Sequence, residues 1–186
     1  MLAVDVELKP LVQRARAREP DAWDRLFQRF QLPLYSFVYE LVRHEQTSLD
    51  IVQETFINAV RHLGSLRDEE RFGSWLFGIA HQKCVQHWRR AGRAGGVVDD
   101  TRELPEDAAS VDLDPGEWLV RREREEEFMT ALNQLPSPQR AVLLLHFLED
   151  FSLEEIAAIT GAPVGTVKSR LHHAKKGLRE LLEDRS

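Results

Sequence analysis

Five cations, Lys168, Arg170, Lys175, Lys176 and Arg179, stand between Val164 and Arg179 without a single acid among them. A second acid-free run, His81 to Arg93, holds Lys83, Arg89, Arg90 and Arg93. Cations grouped in this way neutralise phosphates, which gives affinity for nucleic acid without sequence choice. The chain as a whole is nonetheless acidic, with a net charge of −6 over 186 residues. The acid is local. Asp99 to Glu127 carries twelve acidic against four basic residues, a net of −8, so the remainder of the chain carries +2. Two basic surfaces therefore flank an acidic strap.

Other residue types with chemical potential lead nowhere as convincing. His81, Cys84 and His87 are metal-ligand types at i, i+3 and i+6, but on one helix the two imidazoles project about 120° apart and no fourth ligand is near in sequence. No phosphate-cradling glycine loop, nucleophile motif or paired catalytic carboxylates occur. The expectation is a binding protein with no catalytic residues, no metal and no cofactor. The single cysteine excludes an internal disulfide and fits a reducing cytoplasm. The first nine residues do not read as a secretory signal, and no apolar run is long enough to span a bilayer, so a cytoplasmic protein without membrane insertion is expected.

Helical spacing dominates the elements that must position these cations, giving an all-α fold. Trp23, Leu26, Phe27 and Phe30 form one stripe, which Pro33 should break or restart as a second helix from Leu34 to Val42. Thr47 or Ser48 can cap the next helix, which buries Ile51, Val52, Thr55, Phe56, Ala59 and Leu63 before Gly64 ends it. A polar connection, Ser65 to Arg71, leads into a helix from about Phe72 with Trp75, Leu76, Ile79, Ala80, Cys84 and Trp88 as core positions. Residues 93–117, rich in Gly, Pro and acid, read as a flexible linker. They divide a helical domain at 19–92 from a second at 118–183.

The second domain contains the clearest local signal. Ser152-Leu-Glu-Glu is a capping box that starts a helix, Gly161 supplies a left-handed turn, and Pro163 fits the first turn of the next helix. Val167, Leu171, Ala174, Leu178 and Leu181 then make a core stripe. The opposite face carries Gly165, Ser169, His172, His173 and Lys176, with Thr166 beside them. Small and hydrogen-bonding residues at the helix start suit base edges in a major groove, while Lys168, Arg170, Lys175 and Lys176 suit phosphates. This is a helix-turn-helix.

The string from Ser152 to Ala174 resembles region 4 of bacterial extracytoplasmic-function (ECF) sigma factors, and Leu135 to Leu145 is similar to the start of that region. Independently, Asp50 to Val60 resembles region 2.2, and Phe72 to Arg90 resembles regions 2.3 and 2.4. The likeness runs from about Glu19 to Leu182 in the family's order. It implies a promoter-specificity subunit of bacterial RNA polymerase, built from two small helical domains. Region 2 would bind core polymerase through Asp50, Gln53, Glu54 and Phe56, with simple core packing as the competing role for Phe56. It would hold the opened minus-ten element with Trp75, Lys83, Arg89 and Arg90, although Trp75 also reads as core. Region 4 would read the minus-thirty-five duplex with Gly165, Thr166, Lys168, Ser169, Arg170, His172, His173 and Lys176. The family pattern often has Arg, Asn and Asp where this chain has His81, Gln82 and Gln86, and Pro163 stands where Ser is usual. The resemblance further implies an anti-sigma factor partner and an acidic linker suited to the basic RNA-exit path of polymerase. A stand-alone helix-turn-helix regulator with an effector domain would explain Ser152 to Lys176 but not the Asp50–Phe56 and Phe72–Arg90 segments.

Overall fold

The computed structural model of the chain describes residues 8–93 and 127–183, and no strand occurs among them. The elements are α1 (Leu8–Arg16), α2 (Pro20–Val42), α3 (Glu45–His62), α4 (Phe72–Arg93), α5 (residues 127–134), α6 (Ser137–Phe147), α7 (Leu153–Thr160) and α8 (Val164–Glu183). Two 3-10 turns, Leu63–Ser65 and Glu69–Arg71, join α3 to α4. The acidic linker and the helix start expected near Trp118 lie outside the described residues.

Three local expectations are revised. Pro33 neither breaks nor restarts the second helix: α2 is continuous through it. An interior proline costs about 3 kcal/mol in isolation. Here Leu26, Phe30, Leu34, Phe37, Val38 and Leu41, all buried, make one stripe on both sides of it, and their burial offsets that cost. Neither Thr47 nor Ser48 caps α3. His44 does, its Nδ1 accepting the Thr47 N–H at 3.2 Å, while the buried Ser48 donates its hydroxyl to the His44 carbonyl at 2.8 Å. Gly64 falls within the 3-10 turn that follows α3.

The first helix has no counterpart in the sequence reading. Val12 and Ala15, three apart, bury one side of α1 against α2. Arg18, in the left-handed conformation at φ 63°, reverses the chain into α2.

The sequence divides the chain into two helical bodies, and the structure packs them face to face. One contiguous apolar cluster runs from Val12 to Ala174 through both. The most extensive helix–helix contact among the described residues is α4 on α7. Gly78 faces the Ile159 backbone there, and a Cβ at this position would lie in ordinary van der Waals contact with the Ile159 Cα at 3.8 Å. The adjacent Phe77 ring meets Phe151 edge-on with centroids 5.2 Å apart. A polar latch lies beside this contact. Arg140 of α6 is 7% exposed, and it donates to the Asn133 carbonyl at 3.0 Å and to the Leu41 carbonyl at 3.4 Å. The second bond places a cation at the C-terminal end of α2, where the helix dipole favours it. Glu40, bonded to Arg43, supplies the counter-charge; burial pushes its carboxyl up, and the two arginines oppose that.

A shared core should melt as one unit. Urea unfolding followed by tryptophan fluorescence and by helical circular dichroism should give coincident single transitions, and Phe151→Ala should lower the stability by about 3 kcal/mol. Two resolved transitions would mean that the bodies are energetically separate.

Candidate nucleic-acid interface

Helix α8 is set by the element before it. At the start of α7 the Ser152 N–H donates to the Glu155 carboxylate at 2.9 Å and the Glu155 N–H donates to Ser152 Oγ at 3.2 Å, completing the capping box. Gly161, at φ 65°, takes the left-handed turn. Pro163 sits just before α8 rather than within its first turn, its carbonyl accepting the Val167 N–H at 3.0 Å. Val167, Leu171 and Ala174 face the core. Gly165, Lys168, Ser169, His172, His173, Lys175 and Lys176 are exposed, and Thr166 is half-buried beside them. The outer face thus presents small and polar groups toward its N-terminus and ammonium groups further along.

Two cations of α8 are partly engaged. The Lys175 ammonium stands 5.0 Å over the Phe147 ring. Lys176 approaches Glu180 at 3.7 Å with both side chains well exposed, a pair that contributes little. Arg170 is half-buried and turns toward α4, close enough for its charge to act on His81.

On α4, Arg89 and Arg90 are exposed. Lys83 is held differently: its ammonium donates to the Glu54 carboxylate of α3 at 2.6 Å. A residue nominated for the DNA strand is therefore tied to one nominated for polymerase. Trp75 is half-buried against Phe72, with ring centroids 5.9 Å apart. Phe56 is buried, its ring tilted against Phe27 with centroids 4.8 Å apart, which places it in the core beneath the α3 surface. Asp50, Gln53 and Glu54 are exposed on that surface, Asp50 accepting a bond from Gln46 at 3.2 Å.

The sequence reading missed the apolar flank of the same surface. Leu49, Ile57 and Val60 are exposed on α3, with Phe27 and Leu32 exposed on α2. Ile57 and Val60 lie four and seven residues beyond Gln53, on one helical face. An apolar pair on an otherwise polar stripe was the available signal.

The α4 residues weighed as metal ligands sit in the packing instead. Cys84 is fully buried, its thiol pushed up to about 12, and His87 is half-buried. His81 is buried where α4 meets the second body, and its imidazole is held down at about 4, chiefly by burial and then by the Arg170 charge.

A helix-turn-helix docked on a second helical body, each offering exposed cations on a helix, defines a nucleic-acid-binding transcription protein. Comparison with known proteins makes the class specific. The sigma-70 region 2 family model matches residues 26–94, and the sigma-70 region 4 model matches residues 125–178. The RNA polymerase sigma-H factor of Pseudomonas aeruginosa is 33% identical over 178 residues, covering 93% of this chain and 92% of that protein. The ECF RNA polymerase sigma-E factor of Haemophilus influenzae is 31% identical, covering 94% and 93%. Among solved structures, the sigma factor RpoE of Bartonella quintana, determined with the anti-sigma factor NepR, superposes with a TM-score of 0.67 at 29% identity, covering 86% of this chain and 97% of that one. CnrH, solved with the cytosolic domain of CnrY, shares the fold with a TM-score of 0.68 at 23% identity, covering 96% and 99%. The chain belongs to the ECF sigma factors of the sigma-70 family. It is a promoter-specificity subunit of bacterial RNA polymerase, which binds the core enzyme and directs initiation at promoter DNA.

The buried imidazole has a measurable consequence. With the folded-state value depressed, the unfolded chain takes up a proton between pH 6.5 and 4 that the folded chain refuses. The stability His81 contributes is therefore present above pH 6.5 and lost as pH falls, by about 3 kcal/mol across the window. Glu149, raised to about 6 by burial, acts in the opposite direction, so the quantity to measure is wild type minus His81→Gln. That difference should shrink steadily from pH 7 to pH 4. A constant difference would mean that His81 is not held neutral.

Proposed function

We propose that the two helical bodies divide the work of initiation as follows. Asp50, Gln53 and Glu54, with the exposed Leu49, Ile57 and Val60 around them, form the surface for core polymerase, and Phe56 supports it from beneath. Lys83, Arg89 and Arg90 hold the opened minus-ten strand, together with the loop at residues 65–71. The exposed face of α8, with Gly165, Thr166, Ser169, His172 and His173 toward base edges and Lys168 and Lys176 toward phosphates, reads the minus-thirty-five duplex. Polymerase performs the chemistry and this chain supplies binding energy, with no catalytic group of its own. An anti-sigma factor is the proposed regulator, since the Bartonella quintana relative was solved with one. The cytoplasm is the proposed location, and no helix among the described residues is long and apolar enough to cross a membrane.

The observation that carries this reading is the exposure of the whole α8 outer face while Val167, Leu171 and Ala174 anchor the opposite side. The packed arrangement then imposes a condition. The two promoter elements lie about 25 base pairs apart, which is roughly 85 Å of duplex. A compact chain of this length is only roughly 40 Å across. The bodies at 19–92 and 118–183 must part for both elements to be read at once. The connection at 93–117, fully extended, reaches at most about 85 Å.

Transcription in vitro from a cognate promoter with purified core polymerase tests the reading: the chain should co-purify with core and direct specific initiation. A donor–acceptor dye pair on α4 and α8 should report a large separation on forming the promoter complex. Lys168→Ala and Lys176→Ala should each flatten the salt dependence of promoter binding by about 0.9 in log–log slope. Arg170→Ala, turned toward His81, should change the slope less. Absence of initiation, or unchanged slopes in both lysine variants, would overturn the assignment of α8.

A further inference from the structure

Helix α1 lies outside the residues that the region 2 family model matches, yet it reaches across to the loop between α3 and α4. Arg16 is the centre of that contact. Its Nη1 donates to the Glu69 carboxylate at 2.6 Å, and its Nη2 donates to the Leu66 carbonyl at 2.5 Å. A planar guanidinium that bonds a side chain and a backbone carbonyl together fixes the loop in one geometry, as a single-point ammonium cannot. Nearby, the Lys9 ammonium lies 3.4 Å from the Glu70 carboxylate. Leu66 is buried and the Glu69 side chain is 14% exposed, so the anchor holds the inner edge of the loop. The outer edge shows Arg67 and Arg71, the latter in a loose, exposed pairing with Asp68 at 3.4 Å.

The loop's charge gives this anchor a purpose beyond packing, which Val12 and Ala15 already provide for α1. Residues 67–71 contain three acids and two arginines, a net of −1 that repels a phosphate chain. With Glu69 and Glu70 neutralised by Arg16 and Lys9, the loop presents a net positive edge.

We infer that Arg16 is a positioning residue for promoter-strand capture: from outside the DNA-binding elements it fixes the 65–71 loop and masks Glu69, so that Arg67 and Arg71 can face the phosphates of the opened strand. This rests on the reading of that loop as a strand contact.

Binding of a forked promoter fragment, with the minus-ten element already single-stranded, by holoenzyme reconstituted from the full chain tests the inference. Arg16→Ala should weaken fork binding roughly three- to tenfold while leaving core binding unchanged. Glu69→Gln alone should stay within about twofold of wild type. The double variant Arg16→Ala/Glu69→Gln should regain the part of the loss that comes from the unmasked acid, because that acid is gone, while the part due to the lost Leu66 bond remains. Neither a simple packing role nor a direct phosphate contact gives that rescue. Arg16→Met, which keeps the apolar stem, replaces Arg16→Ala should the latter lower the melting temperature. Fork binding by the Arg16 variant equal to wild type, or a loss that Glu69→Gln does not repair, overturns the inference alone. Wild-type holoenzyme that fails to bind the fork overturns the reading beneath it as well.

Discussion

The approach of α7 to α4 is the constraint on which the remaining arrangement depends. Gly78 faces the Ile159 backbone, where a Cβ would be in ordinary van der Waals contact, and beside it Phe77 and Phe151 complete one apolar cluster through both bodies. The position of α8 follows, because the turn at Gly161 ties it to α7 and its stripe packs into the same core. The Arg170 charge reaches His81 for this reason. Arg140 finds the end of α2 for the same reason, although the two are 99 residues apart in sequence. The separation proposed for promoter reading would therefore open the most extensive helix–helix contact among the described residues.

This arrangement joins two opposing demands. Opening exposes Phe77, Phe151 and Ile159 to water and strips Arg140 of the Leu41 carbonyl, so it is costly without a partner to compensate. The outer face of α8 and the polar surface of α3 are meanwhile already exposed in the packed form. Encounter with polymerase or duplex can therefore precede opening. The ion pair between Lys83 and Glu54 couples the same two surfaces: the group proposed for the DNA strand is held by one proposed for polymerase.

Much of this was legible in the sequence because it rests on local rules. The capping box at Ser152, the left-handed Gly161 and the stripe from Val167 to Ala174 need only neighbouring residues to be read, and each stands where spacing placed it. The failures have a common physical origin in tertiary packing. Pro33 is a helix breaker by local rule, and only the stripe shared by both its sides keeps α2 whole. His44 outcompetes Thr47 and Ser48 as a cap because burial of Ser48 turns its hydroxyl back to the His44 carbonyl. The docking of the two bodies was invisible because an apolar face on α4 or α7 looks the same whichever partner it meets. On the exposed surface of α3, sequence pattern nominated the polar residues but not Ile57 and Val60, since exposed apolar residues resemble core until the core has been counted.

Cys84 gives the packed state a built-in clock. The side chain is fully buried on α4, and its thiol is held at about 12, so at neutral pH it is almost entirely in the unreactive protonated form. The sequence contains no other cysteine. A thiol reagent can then modify the chain only through excursions that uncover this helix, and in the fast-reclosing limit the modification rate measures how often they occur. The unaltered protein carries its own gauge of breathing, with one site and no background.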